Sequence, residues 1–337
     1  MPSATWTKES AHSSRSSIPG PINYALAALQ IAVNALQFFL LPLYLLPISL
    51  WWALILLPLA ALNNPFWALI HEAIHDLFHS SSRINATAGR LLAVFFGAPF
   101  RLLQITHLLH HKFNRLPQEQ GTEVYDPRKI SRFKASFGYY FRLLGGLYLL
   151  EVLSPLIFFL PRRVLRISER RMLADPINQH GRSVVKYLLH DEKIQQMRID
   201  SLVIMIVFGL SFVCYGEHWK ILLGILLVRG FLISFLDNVY HYNTPMLDVS
   251  FAQNLDLSRF LSRLLLNHNF HGIHHKHPNI SWIRLPGLFI EHAARFEGNY
   301  FTAAFVQLCG PVAVSQLPQQ RAASGEPASA ATFLRSS

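Results

Sequence analysis

From Ser16 to Ile70 the chain runs for 55 residues without an Asp, Glu, Lys or Arg. About 20 apolar residues cross a hydrocarbon core at 1.5 Å per residue, so this run is long enough for two crossings. Residues 22–46 form one span, LLPISLWW a tight apolar turn, and residues 49–75 a second span that ends in HEAIH. A later apolar pair, 201–216 and 221–241, is separated only by EHWK. The chain is therefore expected to be all-α, an integral membrane helical bundle of two transmembrane hairpins with about four spans. Two weaker segments lie between, 86–100 and 133–160. Lys134, Arg142 and Glu151 interrupt the second, which reads as an interfacial helix.

Only 15% of residues are charged against about 25% in ordinary soluble domains, and 51% are hydrophobic. The net charge of +11 is concentrated around PRRVLRISERR and on to HDEKIQQMR, between the hairpins. By the positive-inside rule that face is cytoplasmic, and both termini and the hairpin ends belong to it. Lys8, Glu9 and Arg15 precede a hydrophobic stretch too long for a signal peptide. Residues 1–20 read as a disordered cytoplasmic N-terminus, 21–300 as the membrane domain and 301–337 as a mostly disordered tail. Anionic headgroups and an acidic redox protein suit the charge; no nucleic acid is expected, because no basic recognition element accompanies the spans. Two cysteines, Cys214 and Cys309, exclude a disulfide framework and a four-cysteine iron-sulfur site.

The chemistry is carried by histidine. HEAIH matches the H-E-x-x-H of zinc proteases, in which Glu72 would be the general base. The 17 histidines, however, include clusters at 71, 75 and 79; at 107, 110 and 111; at 241; and at 271, 274 and 275. At about one histidine in twenty, H-x-x-H-H is expected about 0.04 times by chance, and this chain has two. Residues three and four apart share a helix face, so each box offers part of a coordination sphere at the end of an apolar element. A catalytic zinc takes three protein ligands, which this supply exceeds; imidazole also suits iron, and such a set is more naturally shared between two ions.

HEAIHDLFHSSSRINATAG, THLLHHK and NFHGIHHKHPNISWIRLP together resemble the three boxes of the membrane fatty acid desaturase superfamily, over about residues 30–290. The resemblance implies that His71, His75, His107, His110, His111, His271, His274 and His275 bind two non-haem iron ions. His241 matches the further histidine between the second and third boxes. Glu72, Asp237 and Asn238 complete the candidate catalytic site: Asp237 and Asn238 for an outer or water-mediated contact, Glu72 or Asp126 as an anchor for a ligand's free ring nitrogen. His79 is open between ligand, supporting group and interfacial side chain, and His268 and His277 read as surface or supporting residues. Arg229, inside an apolar span, either pairs structurally or meets a substrate head group.

The implied chemistry is O2-dependent oxidation of a fatty acyl chain, desaturation first. Decarboxylation of a free fatty acid to a terminal alkene is the alternative, with Arg101, Arg229 or Arg284 on its carboxylate; hydroxylation or ketolation of a lipid or carotenoid comes next. A structural metal site in a lipid-binding scaffold is the non-enzymatic alternative. No H-P-G-G haem motif is present, so electrons are expected from a separate ferredoxin, rubredoxin or cytochrome b5 with its reductase, docking partly on Arg162–Arg198.

Overall fold

The computed structural model describes residues 18–116, 123–174 and 191–318. The architecture is mostly helical. Its principal helices are α1 (Gly20–Ala35), α2 (Asn63–Ile74), α3 (Ser82–Phe96), α4 (Phe100–Phe113), α5 (Arg132–Phe141), α6 (Leu147–Phe158), α7 (Asp191–Tyr215), α8 (Trp219–Asn238), α9 (His271–Lys276) and α10 (Tyr300–Val306). Four two-residue strands form two parallel pairs, β1 (Val124–Tyr125) with β4 (Val312–Ala313), and β2 (Leu255–Asp256) with β3 (Gly298–Asn299).

Three helical runs are long and apolar enough to cross a membrane: Gly20–Leu45, Arg132–Phe158 and Lys193–Asn238. Two bent pairs, Leu50–Ala60 with α2 and α3 with α4, raise the number to five if each is one span. The last run contains the expected second pair: Gly216 at φ +49 breaks it into α7 and α8. Tyr215 before the break and Leu222 and Ile225 after it pack in one cluster with Phe38 and Leu41. Residues 133–160, expected to be interfacial, include the helical run Arg132–Phe158, whose 27 residues also meet the length and composition of a span. Its charges are spaced widely enough to leave an apolar window, and Gly145 at φ +131 turns the chain where α5 passes into α6.

The surface is inverted relative to a soluble bundle. Along the first run Asn23, Gln30, Asn34 and Gln37 are buried, whereas Ile22, Leu29, Leu40, Leu43 and Tyr44 face outward. That pattern suits an apolar solvent, in which polar groups must find partners inside the protein. The chain is an integral membrane protein by this criterion as well as by its helices.

Arg229 organises the interior polar residues. Its side chain is 1% exposed, and it donates to Asn63 Oδ1 (2.8 Å), Asn34 Oδ1 (2.6 Å), Gln37 Oε1 (3.3 Å) and the Phe95 carbonyl (2.8 Å), with the rings of Phe38 and Phe66 on its faces. Of the two roles open to it, the structural one is observed: one guanidinium ties α8 to α1, α2 and α3. α2 is buried along almost its whole length, as a helix apolar on all sides must be. α3 ends on Gly97 in the left-handed conformation, followed by Pro99, and α4 leaves at 100°.

Residues 301–318, expected to belong to a mostly disordered tail, carry regular structure in α10 and β4. The sequence there lacks charge, and Tyr300 and Gln307 turn their polar side chains inward. The expected N-terminal segment up to residue 17, the tail beyond 318 and residues 175–190 of the expected docking segment lie outside the described residues.

Arg229→Met leaves Asn34, Asn63 and the Phe95 carbonyl without their donor in a dry interior. We expect a loss of about 2–4 kcal/mol, read as a lower Tm in detergent. An unchanged Tm would show that the network contributes little to stability.

Candidate metal centre

Four elements deliver the histidines. α2 carries His71, and His75 caps its C-terminus; α4 carries His107 and, on its last turn, His110 and His111; His241 follows the end of α8; α9 carries His271, His274 and His275. α9 reaches its place because Gly272 has no side chain: a Cβ there would lie 2.5 Å from the Ala252 carbonyl oxygen and 2.6 Å from Asn254 Nδ2. Asn254 Oδ1 in turn accepts the Ile273 amide at 2.9 Å.

All nine expected ligands converge, and they divide into two groups. His71, His75, His107, His111 and His274 form one; His110, His241, His271 and His275 form the other, with the ligand atoms of each group within 4.8 Å of one another. In the first, Nε2 atoms face each other from His75 to His107 (3.1 Å), His107 to His111 (3.0 Å) and His111 to His274 (3.1 Å). In the second, His241 Nε2 lies 3.2 Å from both His110 Nε2 and His271 Nε2. The His111 and His275 rings, one from each group, stack at 4.2 Å.

Burial favours the neutral form of most of these imidazoles. It lowers His75 to about 3 and holds His241, His271, His274 and His275 well below the ordinary range, with mutual repulsion adding to it. A neutral imidazole has one N–H and one lone pair, so several Nε2 atoms meeting at 3.0–3.2 Å cannot all be hydrogen-bonded. His71 Nε2 and His275 Nε2 are buried with no partner among the described residues. A cation resolves the arrangement: adjacent ligands at about 2.1 Å from a six-coordinate ion are about 3.0 Å apart. The residues present fit two imidazole-liganded ions, and among the described residues neither group includes a carboxylate.

Glu72 is turned away from both groups. Its Oε2 accepts from Ser281 Oγ (2.9 Å) and the Trp282 amide (3.3 Å), bracing the segment behind α9 against α2. Trp282 Nε1 donates to Asn23 Oδ1 at 3.1 Å, which adds α1 to the same brace. Asn238 also points elsewhere, donating to Gln307 Oε1 at 2.8 Å. Asp237 lies near enough to His110 and Arg142 to feel their charge. Asp126 forms a turn with Arg128, and His79 Nδ1 accepts from the Ser81 amide with its ring against Tyr24; neither belongs to a histidine group.

Three further residues support the centre, and the sequence pointed to the first of them. His268, expected at the surface or in support, is 8% exposed, with its ring 5.0 Å from His71 and 4.6 Å from His271, so it wedges between the groups. Burial lowers its pKa to about 4, and its Nε2 finds no partner among the described residues. Asn114 donates to the Val249 and Phe251 carbonyls and lies 3.3 Å from His275 Nδ1. Arg115, ion-paired with buried Glu123, holds the carbonyls of Thr244, Pro245 and His241. Their signal was KFNR directly after the second box, polar residues that burial obliges to find partners.

Gly272→Ala is expected to displace α9 and lower bound metal at least several-fold by metal analysis, whereas Glu72→Gln, which keeps an acceptor for Ser281, retains most of it. The opposite order would contradict these roles. In the metal-free protein, acidification from pH 7.5 to 5 should remove stability, because unfolded histidines take up protons near their ordinary value of about 6.5 while the folded ones do not. A flat Tm over that range would refute the buried neutral cluster.

No curated protein matches the sequence. The family model for fatty acid desaturases matches residues 49–304, which include all nine converging histidines. That is more than half of the chain, and the chain belongs to the fatty acid desaturase family of membrane-bound oxidoreductases.

Proposed function

We propose that the two histidine groups hold two iron ions and that the chain desaturates a fatty acyl tail with O2. The observation that carries this reading is the division of nine imidazoles into two donor sets within a desaturase-family membrane protein. Bound iron supplies the capacity to activate O2 and abstract hydrogen from an unactivated C–H bond, which acid-base groups do not. The balance is RCH2CH2R′ + O2 + 2e⁻ + 2H⁺ → RCH=CHR′ + 2H2O.

The chain's own residues do the holding. α2, α4, the residue after α8 and α9 present the imidazoles; the Glu72–Ser281–Trp282 brace and the Arg115–Glu123 pair fix the segments that carry His71, His271 and His241. We assign Glu72 and Asn238 a positioning role rather than a reacting one, since both carry out hydrogen bonds away from the imidazoles. Asp237 keeps its proposed role in an outer or water-mediated contact. The apolar helices let a lipid tail approach while its head stays in the interface.

The two electrons come from outside, because two cysteines cannot hold a rubredoxin or ferredoxin centre. A separate ferredoxin, rubredoxin or cytochrome b5 with its reductase is the donor class. The basic residues between the apolar pairs favour a cytoplasmic metal centre.

The reaction is tested by gas chromatography with mass spectrometry of lipids and headspace from cells expressing the wild type or His274→Ala, with fatty acids and a redox partner supplied. New internal double bonds only in the wild type are expected. An alkene one carbon shorter than the fed acid, or hydroxylated product without double bonds, would replace desaturation by another outcome at the same centre.

A further inference from the structure

The segment from Tyr300 to Pro318 contains no acidic or basic residue. α10 and the turn after it bury Tyr300, Ala304 and Gln307 and direct Phe301, Phe305 and Leu308 outward, Phe305 with 71% of its surface exposed. Positions 301, 305 and 308 share one helix face, so the outward face is the apolar one.

The inward side is closed by hydrogen bonds. Gln307 Nε2 donates to the Phe235 carbonyl at 3.0 Å, and its Oε1 accepts from Asn238. The carbonyls of Gln307, Leu308 and Gly310 accept the hydroxyls of Tyr139, Tyr140 and Tyr242 at 2.6, 2.8 and 2.7 Å. A helix leaves its last carbonyls without internal partners, and in water solvent would serve them. Here three tyrosines do so, as a boundary poor in water requires.

α5, which supplies two of those tyrosines, carries a second aromatic stripe. Phe133, Phe137 and Phe141 recur every four residues, the first two with 85% and 75% of their surface exposed. Lys129, Arg132 and Lys134 are exposed at the start of the helix. This stripe is continuous with the outer face of Arg132–Phe158, a run long enough to cross the bilayer. α10 and its turn span ten residues, about 15 Å, too short to cross.

We propose that Phe133, Phe137, Phe301, Phe305 and Leu308 form one face embedded at the headgroup–acyl boundary, with Lys129, Arg132 and Lys134 on anionic headgroups. The partner is the lipid surface. Because Asn238 and Tyr242 join this segment to the chain on either side of His241, the face fixes the depth of the metal-bearing end of the bundle. The inference rests on membrane insertion and is independent of the reaction catalysed.

The test uses the full chain in vesicles of mixed zwitterionic and anionic phospholipid. In a Cys214→Ser, Cys309→Ser background, a fluorophore is attached at Phe305→Cys or Phe137→Cys, both exposed positions, or at Glu217→Cys in the turn between α7 and α8 as a water-exposed control. Lipids with a nitroxide near the headgroup end of the acyl chain should quench the first two labels at least threefold more than aqueous iodide does, and the control the reverse. Omitting the anionic lipid, or Lys129→Gln with Lys134→Gln, should raise iodide quenching at position 305 about twofold. Iodide quenching at 305 equal to that at 217 would overturn the proposal. So would protection from both quenchers together with cysteine cross-linking between chains, which would make the face a contact between copies.

Discussion

Everything else in this structure depends on a repulsion. Nine buried or half-buried imidazoles crowd together, and seven of them bring Nε2 atoms to within 3.0–3.2 Å of one another. Such an arrangement is costly for the protein alone and favourable around cations, since metal binding uses the lone pairs that burial preserves. The stacking of His111 on His275 makes the two groups neighbours. A chain that must hold this cluster needs braces around it, and the Glu72, Asn114 and Arg115 contacts supply them without entering either group.

The bilayer sets the form of those braces. With no water in the hydrocarbon core, each polar group on the spans must find a protein partner, so Asn23, Asn34, Gln37 and Asn63 point inward and meet Trp282 or Arg229. These neutral acceptors surround the guanidinium, the arrangement expected of a buried cation that is structural. The same rule accounts for the tyrosine hydroxyls on the carbonyls after α10.

The histidine spacings carried much of the site into view, because residues three and four apart must share a helix face wherever the helix lies. They did not reveal the partition. His107 and His111 join one group and His110 the other; His274 joins the first group and its neighbours His271 and His275 the second. Which neighbour goes where depends on how α4 and α9 are rotated against α2 and α8, and spacing alone is silent on that. His268 was discounted because it extends no box; a short 3-10 turn after Asn267, at φ +56, folds it inward. Asn85 and Gly89, which supported the family resemblance, have plain structural uses. Asn85 closes the loop after the first box through the Ala73 carbonyl and the Phe78 amide, and Gly89 admits the Phe100 ring. The charges at residues 134, 142 and 151 suggest an interfacial helix, whereas the 27-residue run Arg132–Phe158 also meets the length and composition of a span. Residues 301–318, in the expected tail, are held by Tyr139, Tyr140 and Tyr242, partners that lie far away in sequence.

The central claim is that two separate imidazole groups, of five and four members, hold two ions. The direct measurement is iron content per chain together with iron K-edge X-ray absorption on purified wild type and on His241→Ala. Two irons in a nitrogen-dominated environment for the wild type, and about one retained in the variant with the His71 group still filled, is the predicted result. A single iron in the wild type, or carboxylate oxygen dominating its nearest neighbours, would contradict it.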